Sequence, residues 1–162
     1  MTYPPELFHA DEGEPSTWVR RTGEPADLTY QTGGTVDYLA TGEATGGLFG
    51  LYRWNFSGPV SGPDAHFHKT ISESFYVLTG TVRFYDGREW SDGNPGDFVH
   101  VPPGGIHGFR NESGQPSSML LHFAPGAPRE PYFETLEEVG DGLKMTVEER
   151  EAFMLAHDTY WL

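Results

Sequence analysis

Two histidines stand one residue apart at His66 and His68, a carboxylate follows at Glu73, and a third histidine, His107, comes just after the turn Pro102-Pro103-Gly104-Gly105. In an extended chain, residues i and i+2 point to the same face, about 6.6 Å apart along the strand. The rings of His66 and His68 can therefore tilt onto one ion, each nitrogen about 2.0–2.1 Å from a zinc-sized metal. Glu73 cannot join them on the same straight strand, because five residues of extension carry it about 16 Å away and onto the opposite face. It converges only if the segment 69–72 turns the chain back, so that Glu73 begins the next strand. On that strand Glu73, Phe75 and Val77 share a face, and an otherwise apolar inner face opens with a carboxylate. A buried carboxylate without a partner is costly, and a divalent cation is one such partner. His107 supplies a fourth donor on a rigid mount, since the two prolines fix φ and the two glycines accept conformations other residues avoid. Three neutral imidazoles and one carboxylate around a divalent ion leave a single net positive charge. An ion that prefers five or six ligands keeps one or two positions for water, oxygen or a substrate anion. That pattern suits catalysis better than a closed structural site, and the donor types suit Fe, Mn, Ni, Co, Cu or Zn.

The elements that must position these residues read as short strands. The sequence has 21 glycines and 13 prolines spread among runs of β-branched and aromatic residues, the texture of an all-β sandwich or barrel. Strands are expected over residues 35–41, 47–56, 65–69, 74–86, 97–102, 106–111 and 118–125, separated by segments rich in turn-forming residues. No long amphipathic helix separates consecutive strands, which disfavours a parallel βαβ architecture. Residues 1–34 are polar, with weak strand potential around Asp27–Thr32, and read as an arm or an edge strand. A short helix is expected over 132–140. A second begins at Thr146, where Glu149 three residues on completes a capping-box pattern. Continued helically to the end of the sequence, it would present Val147, Arg150, Phe153, Met154, Tyr160 and Trp161 as an apolar stripe.

Both histidine segments resemble motifs of the cupin superfamily. The first is His66-x-His68, four residues, Glu73, six residues, Gly80. The second is Gly96, five residues, Pro102-x-Gly104, two residues, His107, three residues, Asn111, and fifteen residues separate Gly80 from Gly96. One departure is visible: the first motif's leading glycine would fall at Val60, with Gly58 and Gly62 on either side. The resemblance implies a cupin-type jelly-roll β-barrel, or double-stranded β-helix, with the metal inside and with a homodimer as the common assembly. The expected organisation is one domain over 1–162: an arm over 1–34, a barrel core over 35–125 and a helical extension over 126–162. Similarity to quercetinase-like dioxygenases implies that His66, His68, Glu73 and His107 hold the metal. It also implies that Glu73 accepts a proton from an enolisable or phenolic small molecule. Small cupins also resemble non-oxidative cyclases, isomerases and lyases, and ligand-binding proteins without activity.

Other candidates carry less. His100 and His122 lie in apolar strands, where an ordinary hydrogen-bonded histidine is the default and a role in orienting a ligand the minority reading. His9 and His157 lie outside the barrel strands. Tyr52, Trp54, Phe56, Phe75, Tyr76 and Phe109 are candidates for an aromatic pocket, although alternation allows only half of any strand to face inward. Arg53, Arg83 and Arg110 are candidate anion binders, although an exposed strand-face arginine is the default, and Arg110 alternates away from His107 and so points out. With 24 acidic and 10 basic residues the formal charge is −14, which disfavours nucleic acid and anionic membrane surfaces as partners. The absence of cysteine excludes disulfides and thiolate ligands. No apolar run approaches membrane-spanning length and the first residues lack the character of a signal peptide, so a cytoplasmic protein is expected.

Overall fold

The computed structural model describes residues 2–162. Its main sheet has six strands in the order β1-β2-β3-β10-β5-β8. These are β1 (Leu28–Thr29), β2 (Thr35–Ala40), β3 (Gly50–Phe56), β5 (Ser72–Thr79), β8 (Phe98–Val101) and β10 (Ser117–Ala124). Opposite it lies a three-stranded sheet of β6 (Val82–Tyr85), β7 (Trp90–Gly93) and β9 (Gly108–Arg110), in the order β7-β6-β9. A two-stranded piece pairs β4 (His66–Phe67) with β11 (Tyr160–Trp161). All pairings are antiparallel. Two helices, α1 (Glu130–Gly140) and α2 (Val147–Ala156), follow the last long strand. Among the described residues no helix is long and apolar enough to cross a membrane.

Strict alternation builds the core. In β10, Ser117, Met119, Leu121 and Phe123 are buried while Ser118, Leu120, His122 and Ala124 lie on the outer side. In β5 the inward set is Glu73, Phe75 and Val77. Phe75 meets Phe84 and Phe109 of the facing sheet, with ring centroids 5.2 Å apart in both cases. Phe133 of α1 closes one end of the barrel edge-on against Tyr52 and Trp54, each at 5.3 Å. Aromatic pairs of this kind contribute about 0.5–1.5 kcal/mol each beyond the area they bury.

Several elements differ from the sequence expectation for local reasons. The expected strand over 74–86 is two strands, because the chain passes from one sheet to the other at Gly80. There φ is +66°, and a Cβ would lie 2.6 Å from the Pro116 carbonyl oxygen. The expected strand over 47–56 starts at Gly50, since Gly46 and Gly47 adopt positive φ in the preceding turn. The strand expected over 65–69 is only His66–Phe67. The capping box at Thr146 forms, with Glu149 N–H donating to the Thr146 hydroxyl oxygen at 3.1 Å. The helix it starts ends at Ala156, however. Tyr160 and Trp161 belong to a strand, and Val147 and Arg150 are exposed, so the stripe reduces to Phe153 and Met154.

The unmatched glycine of the first motif also finds its explanation. Val60 is 68% exposed and carries no backbone constraint, whereas Gly62 has φ +139° and a Cβ there would lie 2.0 Å from the Phe109 carbonyl oxygen. Gly62 is where the loop entering β4 presses against β9, beside the bridge between Ser61 and Asn111. Gly62→Ala is therefore expected to lower stability by about 2–4 kcal/mol, a fall of roughly 5–15 °C in Tm. Val60→Ala should leave the midpoint within about 2 °C. Thermal denaturation of the two variants checks both.

Candidate metal centre

His66 and His107 face each other across a bridge between two extended segments, each N–H donating to the other's carbonyl oxygen at 2.9 Å. His68 sits two residues beyond His66 on the same face, and its carbonyl accepts from Gly104 N–H at 2.6 Å. The three imidazoles thus belong to one wall of the barrel. Glu73 comes from the opposite wall, at the start of β5, between Val101 of β8 and Phe123 of β10. The chain does turn back over 69–72, and Asp158 secures that turn. Its carboxylate accepts from Lys69 N–H at 3.0 Å, from Thr70 N–H at 2.8 Å and from the Thr70 hydroxyl at 2.7 Å. All four donor side chains are buried, and one ligand atom from each lies within 4.8 Å of all the others.

The tautomers are fixed by what the rings touch. His66 Nδ1 donates to the Asp64 carbonyl at 2.8 Å, His68 Nδ1 to the Asp158 carbonyl at 2.6 Å, and His107 Nδ1 to the Gly105 carbonyl at 3.0 Å. A carbonyl only accepts, so Nδ1 carries the proton in all three rings, and in a neutral ring Nε2 is a bare lone pair. Yet His107 Nε2 lies 2.7 Å, and His68 Nε2 3.2 Å, from the same oxygen of Glu73. Two acceptors at such distances repel unless a positive charge lies between or beside them. A proton can serve for one pair at a time. A divalent cation serves all four donors at once, and that is the fit of this group to a metal.

Electrostatics point the same way. Burial pushes the Glu73 carboxyl up, but its contacts with the His107 and His68 rings outweigh it and hold the group below the usual carboxylate range. His66 is pushed down to about 4 by burial and by the charge of His107, so its Nε2 is unprotonated at neutral pH. Burial lowers His107 too, but its hydrogen bond to Glu73 prevails and raises it above the ordinary histidine value. Without metal, Glu73 stays anionic and the nearest imidazole shares its proton with it.

A model of the family described as "Cupin domain" matches residues 57–129, the span that holds all four donors. The chain carries a cupin domain. Quercetin 2,3-dioxygenase of Bacillus subtilis is 37% identical to it over 160 residues, 85% of this chain and 44% of that protein, so the cupin chain spans less than half the length of this relative. Among solved structures, KdgF from Halomonas sp. superposes with a TM-score of 0.57 at 16% identity, over 67% of this chain and 94% of its own. Ectoine synthase from P. lautus gives 0.55 at 17%, over 69% and 78%. At these identities the structural likeness is one of fold.

The other candidate residues of the cupin chain fall outside the centre. His100 is exposed on the outer face of β8, hydrogen-bonded to the Ser74 hydroxyl at 3.0 Å. His122 stacks on Phe49 on the outer face of β10. Neither touches a donor residue. His9 is exposed in the arm, and His157 caps the end of α2. Arg53 pairs with Asp37 at 2.7 Å and Arg83 with Glu112 at 2.8 Å, while Arg110 lies outside the barrel over the Trp90 ring. Trp54, Phe56 and Phe109 line the cavity beside the centre; Tyr52 and Phe75 belong to the packed core, and Tyr76 is exposed.

Sequence reasoning missed the C-terminal segment. Asp158, at φ +53°, holds both the 69–72 turn and the His68 ring, and Trp161 lies 5.1 Å from the His66 ring. The only local signal was the Asp-Thr pair that interrupts the apolar helix pattern. Partners that orient a metal ligand are commonly worth 10- to 100-fold in affinity. Asp158→Ala keeps the carbonyl on His68 but removes the carboxylate that ties it to the turn, so zinc binding is expected to weaken about 10-fold, and His100→Ala should leave it unchanged. Competition titration against a chromophoric chelator measures both.

Proposed function

We propose that the cupin chain is a metal-dependent dioxygenase, similar to quercetin 2,3-dioxygenase, acting on an enolisable or phenolic small molecule. The observation that supports it most directly is the position of the buried centre. His66 and Glu73 form part of the wall of a cavity of about 340 Å³ whose other walls include Trp54, Phe56, Phe109 and Phe123. That size lies at the small end of ligand pockets, about 300–1,000 Å³, and the aromatic walls suit a flat, conjugated body. The sequence relationship to a dioxygenase supports the oxidative class over others that share the fold.

A divalent transition metal held by His66, His68, His107 and Glu73 would supply Lewis acidity and an electron path between substrate and O2. The protein's own contributions are separate. The three Nδ1 hydrogen bonds to carbonyls keep the rings from rotating, so the donor set stays beside the cavity that His66 and Glu73 line. The apolar walls exclude bulk water from an oxygen-sensitive carbanion-like substrate. Glu73 is the group placed to take the substrate's hydroxyl proton. Its contacts with the His107 and His68 rings hold its carboxyl below the usual carboxylate range.

Two measurements test the reading. With quercetin and smaller phenolic or enolisable compounds as trial substrates, O2 uptake should follow substrate addition and stop on chelation of the metal. Product formed at the same rate without O2 would replace the oxygenase with a non-oxidative isomerase, cyclase or lyase. In variants, His107→Ala should lose metal and activity together while the barrel stays folded. Glu73→Gln should cut turnover about 10²- to 10⁴-fold while lowering metal content less. Normal turnover in Glu73→Gln would remove Glu73 as the base.

A further inference from the structure

The cavity holds a buried cation that neither the metal centre nor the barrel core uses. Arg129 stands at the start of α1 and is 4% exposed, yet it lines the same cavity as His66 and Glu73. Its Nη1 donates to the His157 carbonyl at 2.7 Å, and its buried Nε has no partner. Among the described residues no carboxylate lies within 4.0 Å of the guanidinium, in a chain with 24 acidic residues. The adjacent Glu130 is taken by the Tyr52 hydroxyl. What surrounds the cation instead is aromatic: it sits 4.1 Å from the Tyr132 ring centroid, 5.1 Å from Phe123 and 5.6 Å from Phe133.

Aromatic faces offset part of the cost of burying a cation, but they offer no acceptor for its remaining N–H groups. An ion buried with an open donor and no counter-charge destabilises the fold unless something completes it. The charge sum at the cavity leaves room for that. A divalent metal with three neutral imidazoles and Glu73 carries one net positive charge, and Arg129 adds a second.

We propose that Arg129 is the anion receptor of this cavity. The substrate class then carries an acidic group, a carboxylate or an acidic enol, that pairs with the guanidinium while the reacting oxygen faces Glu73 and the histidines. This assignment rests on the functional reading above and narrows it to anionic substrates. Arg53, Arg83 and Arg110, by contrast, already have acidic partners at the surface. A planar guanidinium suits a carboxylate because two parallel hydrogen bonds form at once, whereas lysine supplies only a point charge.

The test compares 3-phenylpropionate with 3-phenylpropionamide, nearly the same shape with and without the acidic group. Binding to the full-length, metal-loaded chain is read from tryptophan fluorescence, since Trp54 and Trp161 line the cavity. The wild-type chain should prefer the acid. Arg129→Gln should weaken the acid about 10- to 100-fold, leave the amide unchanged and keep the wild-type metal content. Arg129→Lys, which keeps the charge should Gln fail to fold, should retain part of the preference. Equal wild-type affinity for acid and amide, or no binding of the acid at millimolar concentration, would overturn the proposal. So would an acid preference that persists in Arg129→Gln but vanishes when the metal is stripped, because the carboxylate would then be seated on the metal. A chain that takes up no metal yet prefers the acid through Arg129 would sink the metal reading and leave this role standing.

Discussion

Three main-chain carbonyls, those of Asp64, Gly105 and Asp158, each hold the Nδ1 proton of one buried histidine, and the centre depends on those three protons. Move one proton to Nε2 and that ring presents a donor where a lone pair is needed. The carbonyls come from three separate places: the loop before β4, the turn before β9, and the link between α2 and β11. None is a side chain, so orientation is written into backbone geometry. Gly105 N–H is itself bonded to the Pro102 carbonyl at 2.9 Å, and Asp158 is tied to the turn at Lys69 and Thr70. The rings cannot relieve the close contact between His107 Nε2 and Glu73 by flipping, because a flip exchanges Nδ1 with Cδ2 and leaves the carbonyl facing a carbon, its hydrogen bond lost. The remaining way to relieve it is a positive charge among the four groups.

That constraint couples coordination to packing. The imidazoles come from the wall that contains β4 and the approach to β9, while the carboxylate comes from β5 of the main sheet. The two walls are held in register by contacts that have nothing to do with metal, chiefly Phe75 against Phe84 and Phe109. A shift between the sheets large enough to part the donors would first have to break this aromatic layer. Conversely, four converging donors with one carboxylate and no cation leave buried charge poorly compensated, at several kcal/mol per ion. The core therefore supplies stability that the donor set alone does not. This is why His66 and Glu73 sit within strands, and His68 and His107 directly beside them.

Much of this was readable in the sequence because it rests on short-range rules. The i, i+2 spacing of His66 and His68, the need for a turn before Glu73, and the shared face of Glu73, Phe75 and Val77 follow from strand geometry alone. The Pro-Pro-Gly-Gly mount of His107 follows from the φ preferences of its residues. What escaped was long-range. Asp158 acts 90 residues away in sequence from the histidine it orients, and no local pattern announces that a strand will form after α2. Arg129 was overlooked for the same reason. Arg53, Arg83 and Arg110 sit within strands where their exposure could be weighed, but Arg129 lies in a proline-rich connection, and its burial depends on α1 folding back over the barrel mouth. The split of residues 74–86 at Gly80 was missed because both halves have strand propensity, and only the crossing between sheets demands the break.

The same distinction between surface and interior governs charge. A net charge of −14 describes the outside of the molecule, where water and salt limit each charge to a reach of about 8 Å. Within the cavity there is little water to screen, and the effective dielectric constant is lower, so a single guanidinium outweighs many distant carboxylates. An acidic protein can thus hold a locally cationic pocket, and the surplus of surface acid opposes only the approach of an anion, not its final binding. The aromatic rings around Arg129 sharpen the effect. They occupy the space that water would need to solvate the cation, and they leave its Nε donor as a group best satisfied by a ligand that brings an acceptor with it. On the proposed reading, shape and charge in the cavity select together: a flat body against Trp54 and Phe109, and an acidic group at the α1 end.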